Sequence, residues 1–231
     1  MSPTPSPKSL RIGVLYEETQ MTDLAGLDIL DNVSTKKFDM VAALKPSLAP
    51  LRPLTISMEF LYISSSLEPT WTTPEMHVKP THTYATAPLD LDILLLGGPD
   101  PASVKEESLQ FLREASKKTR VILTTCTGAM WLARSGVLDG KKATTNRVLL
   151  ELARQMMPNV EWQDQRWVID DGCFDGAQIW TAGGAGCGID MVIEYTIQNF
   201  DTKLVEMGCQ GLDFDVEGRS QFYKAPLVNQ W

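Results

Sequence analysis

Histidine is scarce in this chain. His77 and His82 are the only two in 231 residues, and none follows position 82. A hydrolase of the Cys-His type would have to recruit one of them from a Pro- and Thr-rich stretch, so a peptidase or amidase is disfavoured. Cysteine is sparse and scattered: Cys126, Cys173, Cys187 and Cys209 are far apart in sequence. None has a neighbour at metal-ligand spacing, so no metal site is expected. No apolar run approaches the length of a membrane span. Residues 1–9, Met1 to Ser9, are polar and Pro-rich and lack the apolar centre of a secretory signal. They read as a disordered lead-in to a single domain over 10–231. Without an export signal, reduced thiols and a cytoplasmic location are expected. Basic residues are outnumbered, 21 against 29 acidic, for a net charge of −8. That balance excludes nucleic acid and anionic membrane surfaces as expected partners.

What is present is an ordinary globular composition, 43% hydrophobic and 22% charged. Leu10 to Tyr16 reads as a first strand, followed by Leu24, Leu27, Leu30 and Val33 at helical spacing. Phe38 to Leu44 reads as a second buried strand. Residues 45–58 read as short connecting strands, and 62–80 as a long loop or irregular hairpin. Leu91 to Leu96 is the strongest strand, stopped by Gly97-Gly98-Pro99, with a helix over about 103–118. A helix over 147–157, a hairpin near Trp167–Gly172, a strand at 179–182 and a helix from near Ile189 follow. Residues after 208 read as an extended tail that packs on the body. Strands alternating with helices predict an α/β fold with a mainly parallel sheet. Sites in such sheets lie beyond the carboxyl ends of the strands.

Cys126 falls where the strand Val121–Thr125 turns into a helix that runs to Gly136. A side chain at such an elbow is held on a tight bend before the N–H groups that open the helix. Those groups favour an anion, and a thiolate is one. An ordinary thiol of pKa ≈ 8.5 is only about 3% ionised at pH 7. Bringing it to about 6 means favouring the anion by roughly 3 kcal/mol. Asp23 is a candidate carboxylate partner, but it also reads as a helix N-cap, as does Thr22. Glu17 and Glu18, at the end of the first strand, compete for the same role. Gly97 and Gly98 read either as a turn or as donors to a developing anion. Cys187, in a Gly-rich stretch, reads as a packing residue. Trp71, Trp167, Trp180 and Phe214 fit an aromatic pocket or the core.

Four stretches together resemble the ThiJ/PfpI superfamily, with its class I glutamine amidotransferase-like fold, and within it the isocyanide hydratase-like branch. They are Asp23-Leu24-Ala25-Gly26; Pro88 through Gly98; Thr125-Cys126-Thr127-Gly128-Ala129 with Gly136 through Thr145; and Thr181-Ala182-Gly183-Gly184 through Asp190. The resemblance covers residues 10–200. It implies a three-layer, flavodoxin-like sandwich with a nucleophile elbow. It implies Cys126 as nucleophile, Asp23 as the carboxylate bonded to the thiol, and Gly97, Gly98 and the Thr127 amide lining an anion pocket. It implies a cofactor-free addition of water to a small electrophile, isocyanide to N-formamide, in a homodimer. The chain departs from the branch at Leu27 (proline there), Asn146 (histidine) and Cys187 (a small residue). The alternatives are a related lyase or cyclase on a small metabolite, or a non-enzymatic ligand-binding or oxidation-sensing protein. A regulatory fusion is disfavoured, since no helix-turn-helix segment is found.

Overall fold

The computed structural model describes residues 9–227. Its centre is a seven-stranded sheet. The strands are β1 (Ser9–Leu15), β2 (Ser57–Ser64), β3 (His82–Thr83), β4 (Ile93–Leu96), β5 (Val121–Thr125), β6 (Trp167–Asp171) and β7 (Gln178–Ala182). Their order across the sheet is β6-β7-β5-β4-β1-β2-β3. Every neighbouring pair is parallel except the β6–β7 hairpin.

Alternation along the strands divides the core in two. In β4, Leu94 and Leu96 face one apolar layer while Ile93 and Leu95 face the other. The first layer is closed by α3 (Glu106–Ala115), α4 (Gly128–Arg134) and α5 (Leu150–Met156), through residues such as Phe111, Trp131 and Ala153. The second is closed by α1 (Gly26–Asn32), α2 (Thr35–Leu44), α6 (Ala185–Asn199) and α7 (Thr202–Gln210), through Leu30, Phe38, Met191 and Leu204. The result is a three-layer α/β sandwich. Chain order reverses across β1, which sends its successor β2 to one side and has β4 on the other. A crevice at the carboxyl ends of such strands is where ligands bind in open α/β sheets. No helix among the described residues is long and apolar enough to cross a membrane.

Three readings need correction. Residues 38–44 are helical, within α2, and not a buried strand. Ser34 Oγ accepts the Lys37 N–H at 3.1 Å and starts the helix, and Leu44 is 89% exposed. Residues 46–54 form a 3₁₀ helix ahead of β2, where connecting strands were expected. The helix after β7 begins at Ala185, not near Ile189, so Cys187 sits in its first turn. The expected lead-in at 1–9 lies outside the described residues except for Ser9, which opens β1.

Candidate active site

Cys126 directly follows β5 and has a backbone φ of +59°, a left-handed conformation unusual for a residue with a side chain. Such strain costs about 1–3 kcal/mol and persists where the surroundings over-determine it. Here they do. The Cys126 N–H donates to the carbonyls of Ala182 (3.1 Å) and Gly183 (2.6 Å). Its own carbonyl accepts from Thr145 Oγ1 at 2.9 Å. The residue is only 7% exposed.

Asp23 reaches the same point from the 3₁₀ turn Met21–Leu24. It caps no helix: Oδ2 accepts the Gly98 N–H at 3.1 Å, 75 positions away. Oδ1 is buried with no hydrogen-bond partner among the described residues. Burial pushes the carboxyl up to about 6, while the Gly98 N–H and the Cys126 thiol act to hold it down. The same burial, and then the charge of Asp23, push the Cys126 thiol upward. The Asn146 amide and the Thr127 N–H oppose that shift without cancelling it. The helix-end N–H thus acts on the thiol in the expected direction but does not set the net shift. Desolvation beside a carboxylate outweighs two N–H donors. At neutral pH the pair is a thiol next to a largely ionised carboxylate.

Glu17 and Glu18 do not join it. Glu17 is engaged by Ser65, by Tyr84 Oη (2.8 Å) and by Lys105 Nζ (2.6 Å). Glu18 is a half-buried turn residue at φ +54°. Gly97 is not a free donor, because its N–H is bonded to Leu15 O at 3.3 Å. The Gly98 N–H is taken by Asp23. A Cβ at Gly98 would lie 2.5 Å from Thr127 Oγ1 and 2.8 Å from Asp23 Oδ2, so only glycine admits the carboxylate here. Of the three expected anion donors, the Thr127 N–H alone acts to lower the thiol. Thr127 Oγ1 is bound to Pro99 O at 2.6 Å.

Asn146 was legible only as a departure from the branch pattern. Its Nδ2 donates to Cys126 Sγ at 3.3 Å, and its Oδ1 accepts from the Val148 N–H at 3.0 Å. The second bond fixes which end of the amide faces the sulfur. Trp167 and Trp180 are core residues, 4% and 0% exposed, and Trp71 lies on a surface hairpin. His82 pairs with Thr81. Cys187 is half-buried, with Sγ 3.7 Å from Tyr223 Oη. No cluster of three or more His, Cys, Asp or Glu side chains among the described residues is arranged to hold a metal.

The sequence profile described as "DJ-1/PfpI family" matches residues 46–196. An isonitrile hydratase of Pseudomonas putida is 26% identical over 189 residues, which is 80% of this chain and 70% of that protein. The HTH-type transcriptional regulator GbdR of Pseudomonas aeruginosa is 26% identical over 124 residues, 53% of this chain and 32% of the regulator. Among solved structures, a ThiJ/PfpI family protein from Pseudomonas syringae superposes with a TM-score of 0.69 at 19% identity. The match covers 99% of this chain and 85% of that one.

Proposed function

This chain belongs to the DJ-1/PfpI family, and on that premise we propose that it is a cofactor-independent enzyme adding water to a small electrophile, an isocyanide, to give an N-formamide. The observation that carries the reading is the buried pair of Asp23 and Cys126, with the carboxyl poised near 6 and the thiol pushed up. A carboxylate in that state takes a proton and returns it within one turnover. As sulfur attacks the terminal isocyanide carbon, Asp23 takes the thiol proton and delivers it to that carbon. The product is a thioimidate, R–N=CH–S–Cys126. Asp23, ionised again, then takes a proton from water as its oxygen adds to the same carbon. The C–S bond breaks. One water proton ends on nitrogen and the other on sulfur, and R–NH–CHO departs. Asn146 and the Thr127 N–H stabilise negative charge on sulfur in the first step and as it leaves.

Cys126→Ala and Asp23→Asn are each expected to lower formamide production at least ~10³-fold with unchanged circular dichroism. Native rates in Cys126→Ala would end the proposal. The reading includes a homodimer acting on a small molecule in the cytoplasm, without nucleic acid or membrane. The net charge of −8 supports the exclusions. Sedimentation at twice the 25.6 kDa chain mass tests the dimer.

The similarity to GbdR favours a second reading, a ligand-binding or oxidation-sensing protein. Oxidation sensors use accessible thiols of low pKa, and Cys126 is neither. Selective conversion of Cys126 to sulfinate by mild peroxide, with no turnover of any electrophile, would favour that reading.

A further inference from the structure

Residues 219–225 form a strap that crosses the molecule beside the N-terminal end of α6. It has little apolar packing of its own: Phe222 is 60% exposed. A cavity of about 500 Å³ is lined by Tyr223 and Arg219 on the strap and by Arg166, Asp190 and Ile193 on the body. Polar fastenings hold it down. The Arg166 N–H donates to Gln221 O (2.8 Å), Arg166 Nη1 to Ser220 O (2.9 Å), and Gln221 Nε2 to Trp167 O (3.0 Å). Arg147 Nη1 donates to Ala225 O at 2.9 Å, and the Arg147 guanidinium lies 3.9 Å over the Tyr223 ring. The other edge of that guanidinium forks onto Asp164 at 2.7 and 2.9 Å.

Two of these contacts adjoin the supports of Cys126. The Tyr223 hydroxyl fills the space that a side chain at Gly183 would need, 2.6 Å from the Cβ position. The Gly183 carbonyl in turn holds the Cys126 N–H. Arg147 directly follows Asn146, whose amide touches the sulfur. A guanidinium held on three sides restricts where the backbone at position 147, and so Asn146, can sit. Stacking on a ring adds to that hold.

We propose that Tyr223 and Arg147 are positioning residues: their stack clamps the strap and thereby seats Asn146 against the Cys126 sulfur, setting the reactivity of the thiol. The proposal rests on the reading of Cys126 as the reactive group, and it assigns the clamp no contact with substrate.

The test follows alkylation of Cys126 by iodoacetamide across pH, resolved by mass spectrometry. In Asn146→Ala the midpoint should move up by about one pH unit, since a donor to the thiolate is lost. Tyr223→Ala should move it in the same direction. In the Asn146→Ala background, Tyr223→Ala should add nothing, because both act through one hydrogen bond. Tyr223→Phe, which keeps the stack, should hold the native midpoint. Arg147→Lys, which loses the fork and the stack at the surface, should reproduce the Tyr223→Ala shift and serves if that variant does not fold. A native midpoint in Tyr223→Ala and Arg147→Lys, or an undiminished shift in the Asn146→Ala background, overturns the clamp. Isocyanide turnover on the same preparations tests the hydratase reading separately. Its absence alongside the expected shifts would end that reading and leave the clamp standing.

Discussion

Asp23 carries the largest conflict between stability and chemistry. Its folded pKa, about 6, stands above the ordinary 3.8. Between those values the folded chain keeps a proton that the unfolded chain has released, so stability falls as pH rises through that window. Above it the full cost applies, about 3 kcal/mol. Asp23→Asn should therefore be more stable than the native protein at about pH 7.5, by up to that amount, with the difference vanishing below about pH 3.5. Urea unfolding at both pH values measures this, and a less stable variant at the higher pH contradicts it. Turnover should fall as pH drops through about 6, because a protonated Asp23 cannot accept the thiol proton. The rate against pH reads that limb directly. At this scale the sequence was informative where local. Cys126 at a strand-to-helix turn needs no distant residue to be recognised. The placement of Asn146, by contrast, depends on its amide crossing from another segment, and no spacing rule encodes that.

The elbow is the element on which the site depends. At φ +59° glycine is at ease and alanine is not. Cys126→Gly should therefore be more stable than Cys126→Ala by about 1 kcal/mol, although both lose the thiol. Equal stabilities in chemical denaturation would mean that the neighbouring hydrogen bonds, not the backbone preference, set the local energy. The strands flanking the elbow were readable because each is a short apolar run buried on both faces. Residues 38–44 present a similar run and form a helix instead. Periodicity does not separate the two for so few residues. What decides is the Ser34 cap and the absence of a sheet neighbour, and most of that helix's apolar side chains remain near solvent, Met40 at 60% exposure.

Across the whole molecule, Glu17 performs the opposite electrostatic task to Asp23. Placed just after β1, it gathers Ser65, Tyr84 and Lys105 from three other segments. Burial pushes its carboxyl up, but the Lys105, Ser65 and Tyr84 hydrogen bonds prevail and hold it below its usual 4.5. Its contribution is present above that value and is lost as pH falls through the folded one. Glu17→Gln should destabilise the protein by roughly 1–3 kcal/mol at neutral pH, with the deficit shrinking in acid. Thermal melts at about pH 7 and pH 3 check the sign. The sequence offered Glu17 as a rival to Asp23 because both follow the first strand closely. Only the assembled fold, with partners at 65, 84 and 105, separates the architectural carboxylate from the one that meets sulfur.

If Asp23 and Cys126 form the reactive pair proposed above, they also select among ligands by charge. From about pH 6 up to ionisation of the raised thiol, the two groups together carry one proton and one negative charge. A ligand bearing a carboxylate or phosphate beside the reacting carbon would bring a second anion into a space that already penalises the first. A neutral, polarisable molecule meets no such barrier. On the proposed function the pair acts as a charge filter, with a threshold that stays constant across the neutral range.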